Sequence, residues 1–155
     1  MKGRKGWSEA REQFVKAYEL IDSSTDSDLK ESIYIWISYA SLYLEDPGGY
    51  EGAIKFGTEY VNEPTNKPSG AIWVNLAAGY GRKARWLRDH VGSEEEQKKA
   101  RSDALNAIQN ALKINPIWIS KLKELMVSGG DKDPEENDLE AFERDPEFRK
   151  VLKLD

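Results

Sequence analysis

Histidine, cysteine and paired acids are the side chains that most often do chemistry, and this chain uses them sparingly. His90 is the only histidine and there is no cysteine, so thiolate nucleophiles, thiolate zinc sites and disulfides are excluded. No second histidine, cysteine or serine motif stands ready to act with His90. Its place near a helix C-terminus suits a cationic imidazole facing free carbonyls. Carboxylates are plentiful: residues 131–147 hold nine acidic and two basic side chains. The stretch "DKDPEENDLEAF" begins like a calcium loop, but its sixth residue is Glu136 rather than Gly and its twelfth is Phe142 rather than Glu. No phosphate-binding loop, dinucleotide fingerprint or nucleophile elbow occurs. Neither catalysis nor a cofactor or metal site is expected. The chemistry left to the chain is recognition.

One set of recognition residues lies in "GRKARWLRDHVGSEEEQKKAR". Arg82, Arg85 and Arg88 with Trp86 on one arm, and Lys98, Lys99 and Arg101 on the other, combine positive charge with an aromatic ring, as a nucleic-acid contact requires. Asp89 and Glu94–Glu96 interleave with them. Acid at a helix start and base at a helix end is also ordinary dipole matching, and a protein-docking arm anchored on Trp86 is a third reading.

The elements that must position such residues read as helices throughout. A chain of 155 residues with net charge −5, one third charged and 39% hydrophobic, fits one soluble all-α domain spanning 1–155. No apolar run approaches a membrane span and no secretory signal opens the chain, so a cytoplasmic location is expected. Helical periodicity runs through "WSEAREQFVKAYELID" with Ser8 as its N-cap, then "SDLKESIYIWISYASLYLED", then "YEGAIKFGTEYVNEP", stopped before Pro64. A long fourth helix starts near Ser69 and takes Gly92 as its C-cap. Ser93 and Glu96 form a capping box for the fifth. A sixth helix ends at Gly129–Gly130, and an acidic loop with two short helical pieces completes the chain.

Two of these blocks repeat. Trp36, Tyr39, Ala40 and Tyr43, followed by Gly52, Phe56 and Pro64, match Trp73, Leu76, Ala77 and Tyr80, followed by Ala104, Ile108, Ala111 and Pro116. Ala10, Phe14 and Ala17 repeat the later half alone. The pattern resembles the tetratricopeptide repeat, W-x2-L-G-x2-Y, then A-x3-F, then P in a helix–turn–helix unit. It departs at Tyr39, at Glu59 where a small residue is usual, and at Asp22 where a proline is usual. The tail, with Asp138, Leu139, Asp145, Pro146 and Phe148, resembles the segment that closes many bacterial tetratricopeptide proteins. The resemblance implies a right-handed superhelix of about two and a half repeats. Its parts are a half repeat at 8–22, repeat one at 30–66, repeat two at 68–118 with an extended helical hairpin at 82–103, and a cap at 117–155. Small residues such as Ala40 and Ala77 let helices approach while Trp36 and Trp73 fill the space beside them.

The resemblance further implies an adaptor or docking domain whose concave groove binds a protein or peptide partner. Tyr34, Ile37 and Ser41 from the first block, and Ala71, Val74, Asn75 and Ala78 from the second, are the residues it places there. They make an apolar groove, open to a hydrophobic peptide or helix or plugged by the chain itself. A carboxylate clamp is not expected, since Asn75 is its only polar donor. Two alternatives stay open: nucleic-acid binding through the hairpin 82–101, and self-association through the N-terminal half repeat around Trp7 and Phe14. Gly79 and Gly81, inside the fourth helix, serve either close packing or a bend.

Overall fold

The computed structural model describes residues 2–126 and 137–154. These form α1 (Lys2–Glu19), α2 (Ser27–Ser41), α3 (Gly48–Val61), α4 (Gly70–Asp89), α5 (Glu94–Ile114), α6 (Ile119–Met126) and α7 (Pro146–Leu152), with 3-10 turns at Pro116–Trp118 and Glu140–Phe142. No strand occurs among the described residues. The expected helix end at Gly129–Gly130 and the first six residues of the calcium-like stretch lie outside them.

Local chemistry sets the helix ends. The Asp26 carboxylate accepts from the N–H groups of Asp28 and Leu29 to start α2, and Ser69 accepts from Ile72 N–H to start α4. Ser93 and Glu96 exchange both bonds of the capping box at the head of α5. Each bond satisfies a donor that has no partner inside its own helix. Two expectations need correcting. α1 runs unbroken through Ser8, because the added turns carry Trp7 onto α2, where its ring stacks on Tyr43 at 4.3 Å and meets Tyr39 edge-on at 5.3 Å. The left-handed residue after α4 is Val91 (φ 56), not Gly92, and Gly92 N–H closes the turn on Leu87 C=O at 2.7 Å.

Consecutive helices pack antiparallel. Trp7 meets Tyr43 while Tyr18 meets Tyr34; Ser41 faces Gly52 while Tyr34 meets Tyr60; Tyr50 meets Trp86 while Gly79 faces Ile54. One apolar core runs the length of the stack, through Ile37, Phe56, Leu76, Ile108, Leu122 and Phe148. Glu59, the odd residue at a small-residue position, has a use. Its carboxylate accepts from Tyr18 Oη and Tyr34 Oη, each at 2.7 Å, and so ties α1 and α2 to α3. Burial first, then that bond, raises the Tyr34 hydroxyl well above the ordinary phenol range.

The C-terminal residues close over the far end. Phe142 stacks on Phe148 at 4.3 Å. Arg101 of α5 grips Asp145 through two bonds of 2.7 and 2.9 Å and reaches Glu147 at 2.9 Å. Arg101 therefore belongs to a packed junction rather than to a free hairpin arm.

Candidate interaction surfaces

The seven residues expected to line an open groove do not do so. Tyr34, Ile37, Ser41, Val74, Asn75 and Ala78 are buried and Ala71 is half-buried. The α2 members turn inward: Tyr34 bonds Glu59, and Ser41 accepts from Arg11 Nε at 3.0 Å. Asn75 spends its amide on Ile35 C=O at 3.1 Å and Ser38 Oγ at 2.9 Å, locking α4 to α2. Val74, Asn75 and Ala78 do reach a cavity of about 30 Å³, but its other walls are Tyr39 of α2, Leu42 and Tyr43 just past its end, and Lys121, Leu125 and Asp138. The last three come from the C-terminal segment. That space has room for a water or two, not a peptide, so the expected groove is filled here by the chain itself.

Glycine makes the filling possible. A Cβ on Gly81 would lie 2.1 Å from the backbone oxygen of Asp138. One on Gly79 would meet Ile54 Cγ1 at 3.1 Å and Ala53 Cβ at 3.4 Å. Both glycines serve close packing, Gly81 against the C-terminal segment and Gly79 against α3.

The basic arm is spoken for. Arg82 is buried: it donates to Asp46 at 3.1 Å and to Leu44 C=O at 3.0 Å, and stands 3.9 Å from Asp138. Arg85 faces Asn137 C=O and Glu140, and Arg88 pairs with its neighbour Asp89 at 2.9 Å. Trp86 stacks on His90 at 4.3 Å. Of the arginines offered for a nucleic-acid contact, Arg82 and Arg85 are engaged by groups of the α2–α3 turn and the C-terminal segment, while Arg88 stays largely exposed beside Asp89. Elsewhere, a polar cleft of about 550 Å³ between Glu63, Trp73 and Lys113 takes in Lys67, which Asp28 and Glu31 already engage.

Apolar side chains also stay open to water on the outer face of α1 and α2. Leu20 is 79% exposed, Leu29 56% and Trp36 46%. With Ala17, Ile21 and Ile33 the two leucines border an apolar crevice of about 250 Å³. Trp36 was expected in the core beside Trp73. Trp73 is half-buried, flanked by Asn110 and Ile114 of α5, whereas Trp36 has Phe14 stacked at 6.1 Å on one side and water on the other. No sequence signal revealed this face, because periodicity says which residues share a stripe and not what covers it.

These helices define an all-α stack of paired helices. No protein-family model, curated protein or solved structure matches the chain. Among the described residues no helix is long and apolar enough to cross a membrane.

Proposed function

We propose that the protein is a non-catalytic, tetratricopeptide-like interaction module that docks an amphipathic helix of a partner protein on the outer face of α1 and α2. One observation carries this reading. The stripe Ala10, Phe14 and Ala17 on α1 is half-buried, whereas its counterparts Gly52 and Phe56 on α3 and Ala104, Ile108 and Ala111 on α5 are buried. The same pattern of small and large residues is covered twice by a helix and left uncovered once. The helices of the covered copies carry Trp36, Ala40 and Tyr43, or Trp73, Ala77 and Tyr80. The occupant suited to the third stripe is thus a helix with a small residue between two large apolar ones.

A helical peptide with the sequence of residues 69–86 serves as the probe. Saturable binding to the full chain, removed by Leu29→Asp in a still-folded variant, is the expected result. Absence of saturable binding, or binding untouched by Leu29→Asp, overturns the reading. Light scattering decides the occupant: a dimer mass abolished by Leu29→Asp would make it a second copy of this chain. Ile37→Asp is no test of binding, because it places a carboxylate in the core.

A further inference from the structure

Asp138 is 7% exposed, and among the described residues no hydrogen bond reaches its carboxyl group. Its side chain borders the small cavity between α2, α4 and α6, whose walls are largely apolar: Leu42, Val74, Ala78 and Leu125. The charges around it are shared out elsewhere. On α4, Arg82 Nε stands 3.9 Å away, but that guanidinium already serves both Asp46 oxygens and Leu44 C=O. Arg85 of α4 faces Glu140 and Asn137 C=O. Lys121 of α6 lies 3.6 Å from Glu124. Asp46, in the α2–α3 turn, presents a like charge across Arg82. From α2 and the turn after it come the Tyr39 and Tyr43 hydroxyls, which bond each other at 2.7 Å. Next to Asp138, the Asn137 side-chain oxygen is buried without a partner. Two carboxylates thus compete for one guanidinium, and the losing one is buried beside a cavity shared by Leu42, Val74, Ala78 and Leu125 with Asn75 and Lys121.

We propose that Asp138 is a proton-operated catch on the C-terminal segment: protonated, it lets residues 137–142 seat on α4, and ionised, it weakens that seat. Burial first, opposed by Arg82, Arg85 and Lys121 and assisted by Asp46, pushes the carboxyl up to about 7. The sign follows by linkage. A carboxyl whose closed-state value is raised above its solvated value of ~4 favours the closed form most at acid pH. Opening then becomes easier as pH rises, by up to about tenfold per unit, and levels off once the closed form also ionises.

The test is amide exchange in the full chain at residues 119–126 and 137–142, corrected for the intrinsic pH dependence of exchange. The carboxyl-carbon titration of Asp138 is followed by NMR alongside it. Protection of these residues is expected to fall between pH 4.5 and 7 and then flatten. Asp138→Asn should hold protection constant with pH and keep it at least about tenfold above the native chain at pH 7. Asp46→Asn, which removes the like charge and frees Arg82 donors, should lower the Asp138 midpoint by about one unit or more. A midpoint at or below the ordinary carboxylate range overturns the proposal, as does a pH profile shared by the native chain and Asp138→Asn. The carbon titration of the native chain decides the matter alone if a variant does not fold.

Discussion

The α-carbon of Gly81 and the carbonyl of Asp138 are packed so closely that a single methyl group would end their contact: a Cβ at position 81 falls 2.1 Å from that oxygen. A helix that elsewhere would gain from alanine here depends on having no side chain. Gly81→Ala should therefore cost about 1–3 kcal/mol by overpacking, in spite of the ~1 kcal/mol that alanine contributes to a helix. Gly79→Ala, whose nearest contact is Ile54 Cγ1 at 3.1 Å with Ala53 Cβ at 3.4 Å, should cost less, the tight contact being offset by the helix preference of alanine. Urea unfolding of the two variants checks the order.

Val91 occupies the left-handed position that ends α4, with its side chain 93% exposed. A β-branched residue is strained there and gains nothing from burial. Val91→Gly is expected to stabilise the fold by about 1 kcal/mol. Gly92→Ala should destabilise it, since its Cβ would lie 2.5 Å from Leu87 Cδ2. A thermal melt of each variant reads the two signs.

Phe14 and Phe56 hold the same place in the repeat but not the same cover. Phe56 is 4% exposed and Phe14 is half-buried. Phe56→Ala should cost about 3–5 kcal/mol, and Phe14→Ala clearly less, by the area left in water. A bound helix on the α1 and α2 face should narrow the gap, so the comparison belongs both with and without the 69–86 peptide.

The Arg101–Asp145 junction predicts behaviour in acid. The bonds from Arg101, then the N–H groups of Glu147 and Phe148, hold the Asp145 carboxyl below its usual range. A depressed value adds stability above the unfolded carboxylate range, lost as pH falls below ~4. Asp145→Asn keeps the cap of α7 and removes the charge, so it should cost about 1 kcal/mol at pH 7, the partly exposed Arg101 being screened by water. That cost should shrink as pH falls below ~4 and the native carboxyl takes up its proton. Urea midpoints against pH test this.

Particular residues show what the sequence made legible. Ser69, Ser93 and Glu96 announced their helix ends because capping is settled within three or four residues. The small-and-large stripes of α3 and α5 were readable for a similar reason. Arg82 was not: its burial depends on Asp46, 36 positions away, and on Asp138, 56 positions away. Trp36 and Trp73 share one motif position yet differ in exposure, because the neighbours that decide it lie on other helices. The groove residues failed on the same account. Their stripe was right in period, but α1, α3 and the C-terminal segment had claimed it.

Covering at one end and openness at the other give this stack a polarity. The end near α5 is covered by α6 and α7, whereas the α1 side leaves Leu20, Leu29 and Trp36 in water. The docking seat proposed for that side would give the module a valency of one. Copies meeting through that seat would close as a pair about a twofold axis and could not lengthen into a fibre.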